Sequence, residues 1–513
     1  MAVSDFARRL SGAANDASLS RSLVILVTIL LTRWVIRGIY RVYFHPLSRF
    51  PGPKLWAFTR TPQLLAIWKG RLHEEAVRLH SRYGDVVRIS PDELSFSSPD
   101  AWRDIYGHAP KMTRGKPPPK HWERYGRPIN GVQNLIGTPT DREHAQMRKI
   151  FSPAFSDRAL KQQEPLFLRY ADKLVGVLRE RLAEDPSRKF EMVRMYNFTT
   201  FDVMGDLTFG ESLHMLDNAQ YDPWVSIMFA SVRVATRISI FLRYPIIAWM
   251  FKRVIPRSLE KKQMDHFQHS VDRVTKRLEK GRSSEGVDLW DLILDQKEGH
   301  GLSRAQMDSN SSLFMVAGTE TTASLLSGLT YLLLKNPTTM EKLVEELRAT
   351  FASEADMSLE AIAALPYLNA CIKEALRLYP PVAPGLPHLT PREGSTICGE
   401  YVPPGITVGA PHYAMYRSEK LFKDPHAFIP NRWLGDEKYA DDQRNAVQPF
   451  SVGSRDCLGR NMAYHEMRLI MTKVLYNFDM ELCPESEDWI NQRTYILWDK
   501  KPLMVTLKDV RAS

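Results

Sequence analysis

The sequence predicts a mainly α-helical body with a minor β domain, set behind an apolar N-terminal segment. Three observations lead there. Residues 160–300 are mostly amphipathic helical pattern, with apolar side chains recurring on one face. Ser303 to Asn336 holds the longest helical pattern, opened by a Ser303/Gln306 capping box and stopped by Asn336-Pro337. Val86–Ile89 and Glu93–Phe96, joined across Ser90-Pro91-Asp92, read as a β-hairpin that begins a small sheet region. A length of 513 residues would allow about three domains. No Pro/Gly/Ser-rich linker divides the interior and no repeat period is visible, so one body is predicted.

Taken in order, Ser22 to Thr32 is an uncharged apolar run, continued through Trp34, Val35, Ile36, Ile39 and Tyr40 but interrupted by Arg33 and Arg37. A bilayer span needs about 20 apolar residues, reached here with the arginines snorkelling to the interface. No small-residue cleavage site follows, which favours a retained signal-anchor over a cleaved leader. Residues 1–60 carry nine Lys/Arg against Asp5 and Asp16, a net +7 of the chain's +10. With basic residues on the C-terminal flank, the positive-inside rule places the body in the cytosol. Nothing resembles a nucleic-acid reading helix or an aromatic stacking platform, so no nucleic-acid partner is expected. Residues 1–44 are read as the membrane anchor, 45–59 as a proline-rich hinge (no helix could pass through His45 to Pro53), and 60–513 as the body.

Four cysteines (Cys371, Cys398, Cys457, Cys483) are too scattered for a disulfide framework, which fits a reducing, cytosol-facing environment. Asn197-Phe-Thr199 and Asn310-Ser-Ser312 are glycosylation sequons, expected to stay bare on a cytosolic body. Residues 109–140 form a Pro-, Gly- and base-rich stretch that reads as a long loop. The aromatic-rich stretch from Trp224 to Pro256 reads as core or as a lid.

Within the longest helix, Leu313 to Ala317 is apolar on every face and should be buried. Gly318, Thr319, Glu320, Thr321 and Thr322 then set polar groups in the middle of it, which costs free energy unless they are paired. The threonines can bond back to the helix's own carbonyls; the alternative is a functional cluster.

The most informative stretch is Phe450-Ser-Val-Gly453-Ser-Arg455-Asp-Cys457-Leu-Gly459, just before another helical pattern. A thiolate at a helix N-terminus, with an arginine two residues before it, is favoured by the dipole and the cation. Glycines let backbone amides approach the sulfur. Such a sulfur suits ligation of haem iron, and thiolate ligation favours O–O cleavage.

This loop resembles the haem-binding loop of the cytochrome P450 monooxygenases, and three further motifs stand in that family's order. The resemblance implies the cytochrome P450 fold and haem b held by Cys457. Phe450 would shield the proximal haem face, and Gly453 and Gly459 would frame the loop. Arg455 is the expected partner of a haem propionate. His144 and Arg148, four apart on one helix face, would reach a propionate too, with His144 where Trp is commoner. His388 stands where an arginine often contacts a propionate, and its charge at neutral pH is less certain.

Ala317-Gly-Thr-Glu-Thr-Thr322 is similar to the family's oxygen-activation motif. Gly318 would leave room for a ligand, and Glu320 and Thr321 would be the catalytic proton relay. Glu374-Ala-Leu-Arg377 and Arg432, in Phe428-Ile-Pro-Asn-Arg432-Trp433, resemble the family's structural Glu–Arg–Arg cluster, with Asn431 where an acid is common. Other Glu-x-x-Arg copies, at Glu75/Arg78, Glu191/Arg194 and Glu345/Arg348, read as exposed helix pairs of little energetic value.

The implied reaction inserts one atom of O2 into a small apolar organic substrate, by hydroxylation, epoxidation or multistep oxidation. No dinucleotide-binding Gly-x-Gly-x-x-Gly opens a βαβ unit and no iron–sulfur cysteine cluster occurs, so NADPH electrons would come from a separate protein. Membrane-bound NADPH–cytochrome P450 reductase is the expected donor, with cytochrome b5 as a second candidate, at the endoplasmic reticulum membrane. The sequence looks closest to fungal P450s of secondary metabolism, which points to terpenoid or polyketide substrates. Two alternatives share the ligand: a reductase-independent haem-thiolate isomerase or dehydratase, and a non-catalytic haem-binding protein. The second leaves the Glu320–Thr321 pair without a purpose, and family members that only rearrange peroxides often lack it.

Overall fold

The computed structural model describes residues 2–107, 117–125, 130–244, 249, 257–281, 287–294 and 301–511. The predicted loop at 109–140 and the aromatic stretch at 224–256 therefore lie partly outside the described residues. In chain order the elements that position the site are helix α1 (Ala2–Tyr43), strands β1 (Val86–Ser90) and β2 (Glu93–Phe96), helices α2 (Asp141–Phe151) and α3 (Asp157–Glu184) and strand β3 (Lys189–Glu191). They continue with helices α4 (Met192–Phe209), α5 (Pro223–Leu242), α6 (Arg304–Leu334) and α7 (Pro366–Leu378). Strands β4 (His388–Leu389) and β5 (Thr407–Gly409) precede α8 (Arg460–Asn477), and β6 (Phe478–Leu482), β7 (Arg493–Tyr495), β8 (Leu497–Asp499) and β9 (Met504–Asp509) close the chain.

The expected hairpin forms, with β1 and β2 antiparallel. Strand β2 then pairs in parallel with β5, and β4 flanks β5, giving a sheet of order β1-β2-β5-β4. A second sheet, β3-β9-β6, fastens the C-terminus to the start of α4. The β7–β8 hairpin turns on Ile496 alone, whose φ of 75° is an outlier for a β-branched residue. Tyr495 and Trp498 on either side are buried, and Trp498 stacks on Tyr379 with ring centroids 4.5 Å apart.

The main core gathers α3, α4, α6, α7 and α8. Helix α6 runs through it as expected, with the Ser303/Gln306 capping box in place. Tyr196 Oη on α4 and Thr330 Oγ1 on α6 lie 2.8 Å apart in its interior. Leu313 to Ala317 corrects the expectation of full burial: Phe314 and Met315 are buried, Leu313 and Val316 only half so, and Ala317 is exposed. With half-buried Thr321, residues 313, 317 and 321 fall at helical spacing on one open stripe of a helix whose other faces are packed.

From Arg21 to Tyr43, α1 is long and apolar enough to cross a membrane, and almost every side chain there is exposed. Its end is pinned to the body. A Cβ on Gly38 would lie 2.1 Å from the Phe58 ring, Trp34 meets Phe58 edge-on, and Arg88 donates to the Arg41 and Pro91 carbonyls. The proline segment is packed as well, with Leu47 and Phe50 buried and Pro51 accepting from the Arg88 amide at 2.7 Å.

Two surface readings are corrected. Glu75 and Arg78 do form an exposed pair. Glu191 instead caps α4 by accepting from the Val193 and Arg194 amides, and Arg348 reaches the Leu475 carbonyl and Asp479. The sequons are corrected too: Asn197 and Asn310 are fully buried, Asn197 donates to Tyr221 Oη, and Asn310 accepts from the Leu135 amide. Neither can take a glycan in the folded body, so their bareness carries no information on orientation.

Candidate active site

The loop before α8 folds around its own backbone. The Cys457 amide donates to the Phe450 carbonyl at 2.9 Å, and the Gly459 amide, at the N-cap of α8, bonds the sulfur. Gly453 has φ of 85°, and a Cβ there would stand 2.0 Å from the Tyr106 carbonyl oxygen, so only glycine fits. At Gly459 a Cβ would meet nothing within 4 Å. The Phe450 ring leans on Tyr464, with the Arg460 guanidinium over its face. Cys457 is exposed by surface area, yet protein crowds it enough that burial pushes its thiol up, against the opposing pull of the Gly459 amide, Arg460 and Arg148. The cations acting on it are Arg460 and Arg148, not Arg455 as its sequence position implied. Metal coordination deprotonates such a thiol outright.

Arg148 spends its guanidinium on the loop, donating to the Asp456 carbonyl at 2.7 Å and to its carboxylate at 2.6 Å. Arg455 donates Nε to Asp141 and Nη1 to the Thr138 carbonyl, while its Nη2 is buried with no partner among the described residues. Lys120 stands near, bonded to the Ile136 carbonyl and lying over the Tyr125 ring, with burial and then Arg455 lowering its ammonium to about 7. Lys120 and Arg455 line one pocket of about 420 Å³ with Tyr106, Pro118, His388 and Ser451. Burial, then Arg455 and Arg148, hold His144 down to about 4. Burial likewise lowers His388 to about 4, and its Nδ1 lies 2.6 Å from the Pro118 carbonyl, which fixes the proton on Nδ1. A neutral His388 therefore has no second N–H to offer a carboxylate. The orphaned Arg455 Nη2 beside Lys120 is the donor set that suits a propionate.

On α6, Thr319, Thr321 and Thr322 each donate back to the carbonyl four residues earlier, so the bland reading of the threonines is realised. It does not account for Thr321 standing on the open stripe. Gly318 is explained by packing: its missing Cβ faces Met204 of α4, whose sulfur would lie 2.7 Å away. Buried Glu320 pairs with Lys500 and approaches Ser324 Oγ at 3.5 Å. From α8, buried Glu466 reaches Thr322, and burial pushes its carboxyl up to about 8, so it is protonated at neutral pH.

Glu374, Arg377 and Arg432 are wholly buried and joined. Arg377 grips both Glu374 oxygens, at 3.0 and 2.7 Å, and Arg432 Nε donates to Oε1 at 2.9 Å. The Ile429 amide and Trp433 Nε1 complete the carboxylate, and Arg432 pairs in turn with Asp442. Burial alone would raise Glu374, but Arg377 and Arg432 outweigh it and hold its carboxyl below the ordinary range.

Sequence reasoning missed Lys500, Asp442, Glu466 and Lys120. Lys500 sits in Asp499-Lys500-Lys501, which reads as solvated charge, and Asp442 lies in a polar run with no periodic signal.

Comparison with known proteins identifies the family. The family description "Cytochrome P450" matches residues 50–507. The cytochrome P450 monooxygenase efuB of Hormonema carpetanum is 46% identical over 478 residues, covering 92% of this chain and 94% of its own. The cytochrome P450 monooxygenase FUM2 of Gibberella moniliformis is 46% identical over 475 residues, 92% of this chain and 100% of that protein. The cytochrome P450 monooxygenase astA of Talaromyces wortmannii is 42% identical over 484 residues, 94% and 96% of the two chains. The mainly α architecture, the cysteine loop and these relatives lead to one conclusion: the chain belongs to the cytochrome P450 family, as a haem-thiolate monooxygenase.

Proposed function

We propose that Cys457 ligates the haem iron and that Glu320 and Thr321 bring protons to the oxygen side. Haem bound there supplies the dioxygen chemistry, with O–O cleavage favoured by the axial thiolate. The chain's own residues do the rest. Phe450 and the Gly459 amide hold the sulfur, and Arg455 with Lys120 and Arg148 surrounds the propionates. The Glu374–Arg377–Arg432 cluster keeps the scaffold behind the loop rigid. The observation that carries this reading is the Cys457 sulfur, crowded by protein yet open, with the Gly459 amide bonded to it.

The substrate is a small apolar molecule, and the resemblance to fungal enzymes of secondary metabolism favours a terpenoid or polyketide-derived one. Electrons reach the site from NADPH through a separate membrane-bound reductase, with cytochrome b5 as an auxiliary donor. Exposed Arg142, Lys149 and Arg158, with Arg460, form a basic face on the cysteine side suited to it. Residues 1–44 anchor the protein in the endoplasmic reticulum membrane, 45–59 set the body against the bilayer, and 60–513 form the cytosolic catalytic domain. Exposed Leu55 in the hinge and Leu65 and Trp68 on the body supply apolar surface close to the anchor in sequence.

Full-length protein with a fungal P450 reductase is incubated with extracts of the host strain deleted for this gene. The expected result is product formation that needs NADPH and reductase together. Turnover without either supports the isomerase or dehydratase alternative. Protease treatment of intact microsomes tests orientation: loss of the body with sealed vesicles is expected, and protection overturns the cytosolic placement.

A further inference from the structure

The end of the anchor meets the body at the β1–β2 turn, where cations outnumber acids. Asp92 in the turn pairs with Arg60, and Glu93 at the start of β2 accepts from Arg124 at 3.2 Å. Arg243, the C-cap residue of α5, feels both acids and both arginines yet forms no ion pair among the described residues. Its Nη1 is buried with no partner there. Arg88 is 2% exposed and spends its amino groups on the Arg41 and Pro91 carbonyls, which leaves Nε buried without a partner among the described residues. Arg41, in the last turn of α1, donates to the Phe58 carbonyl at 3.3 Å.

Among the described residues, five guanidiniums therefore share two carboxylates, a net +3 in one part-buried place. Burial and then Arg88 lower His45, and burial and then Arg124 lower His121, so neither imidazole adds charge at neutral pH. Burial lowers Arg88 and Arg243 to about 10, which still leaves both charged. A part-buried cation without a counter-charge costs free energy, and an incoming anion offsets that cost. The proximal cluster differs, since Arg377 and Arg432 each touch a carboxylate directly.

Position tells which anion can arrive. Arg41 belongs to the one stretch among the described residues that is long and apolar enough to cross a membrane, and it lies at that stretch's C-terminal end. The cluster therefore sits where the chain leaves the bilayer. Exposed Tyr43, Phe44 and Leu55 on the anchor side, and Tyr244 next to Arg243, add an apolar rim. Guanidiniums behind an apolar rim suit an amphiphile, with acyl chains on the rim and phosphate oxygens on the planar N–H forks. We propose that the cluster around Asp92 and Glu93 binds the headgroup of one anionic phospholipid, with Arg243 and Arg60 on its phosphate. The inference rests on the reading of residues 1–44 as a membrane anchor. The excess positive charge selects a headgroup that brings no cation of its own, such as phosphatidylinositol, over phosphatidylcholine. Bound there, the lipid gives the body a second point of attachment beside α1 and so restricts its rotation about the anchor.

The test titrates full-length, haem-loaded protein in detergent with phosphatidylinositol or phosphatidylcholine and counts retained lipids by native mass spectrometry. The expected result is one phosphatidylinositol retained at ratios where phosphatidylcholine is not. Arg243→Gln should weaken its Kd by about five-fold, the effect of one basic charge at a membrane surface, and Arg243→Lys should keep most of the affinity. Asp92→Asn removes a competing carboxylate and should tighten binding by a similar factor. Lys342→Gln, at an exposed position on the Pro337–Thr350 helix, should change nothing. Equal retention of the two lipids overturns the proposal, as does Arg243→Gln with native affinity. Equal weakening in Lys342→Gln assigns the binding to diffuse charge, and displacement by equimolar inorganic phosphate assigns it to a free-phosphate site; either overturns it. Should Arg243→Gln fail to load haem, Asp92→Asn decides, and an unchanged Kd there overturns the proposal. Carbonate extraction of microsomes tests the anchor separately. A protein that stays in the membrane yet retains both lipids alike leaves the anchor standing and sinks only the headgroup site.

Discussion

Two buried carboxylates on neighbouring helices are held in opposite ways. Glu374 is over-determined: Arg377 grips both oxygens, Arg432, Trp433 and the Ile429 amide fill what remains, and no solvent reaches the cluster. Glu320 has Lys500 and a long contact to Ser324, beside a cavity with a charged rim. One acid cannot leave its place without stranding Arg377 and stripping Arg432 of one of its two carboxylates, whereas the other stands beside a cavity. Number of partners and access to solvent, more than residue type, separate this scaffold acid from the one proposed as a relay. Proximal variants should therefore move stability, and distal variants should move coupling.

The largest effect is expected from Glu374→Ala. Buried Arg377 loses its counter-charge and Arg432 keeps only Asp442, at a cost of about 3–5 kcal/mol out of a total stability of about 5–15. Haem-loaded protein should fail to accumulate in cells. Arg377→Lys should behave similarly, since a lysine cannot grip both oxygens. Native yield and melting temperature in either variant would break the comparison.

Thr321→Val comes next and tests the other half. Among the described residues its hydroxyl bonds only to the Ala317 carbonyl, at 2.6 Å, so the fold should survive with its melting temperature unchanged. Product per NADPH should fall by about ten-fold or more, with the balance of electrons appearing as hydrogen peroxide or water. Native coupling would remove Thr321 from the relay.

The smallest effect per group lies in the pH profile. Burial lowers His80, His388 and His412 to about 4 from an ordinary value of 6.5. A depressed folded value means the unfolded chain binds protons first, so stability present above pH 6.5 is lost progressively towards pH 4. Each such histidine removes about 0.7 kcal/mol between pH 7 and 6. Glu374 is also depressed, but its contribution is lost only below the ordinary carboxylate range. Urea midpoints should start to fall below about pH 6.5, with the proximal cluster intact; a flat profile down to pH 4.5 would contradict the burial of neutral imidazoles.

Local features were legible in the sequence because their physics is local. The Ser303 capping box, the Val86–Phe96 hairpin and the amide-lined cysteine turn each depend on residues a few positions apart. The Glu374–Arg377 grip was legible for the same reason. Partners brought from afar were not. Lys500 meets Glu320 from 180 residues away, and Arg148 meets Asp456 across 308, so neither pairing leaves a trace in spacing. The Gly318 reading named open access where packing against Met204 governs, since helix crossings are set by the fold. His388 read as a propionate donor until its proton proved committed to Pro118, a contact only the folded loop creates.

The bond between the Cys457 sulfur and haem iron is tested most directly by reducing purified protein and adding carbon monoxide. The account predicts the red-shifted Soret absorption of a sulfur-bound ferrous haem, abolished in Cys457→Ser while the fold persists by circular dichroism. A folded, haem-loaded protein without that band, or a Cys457→Ser variant that keeps it, would contradict the account.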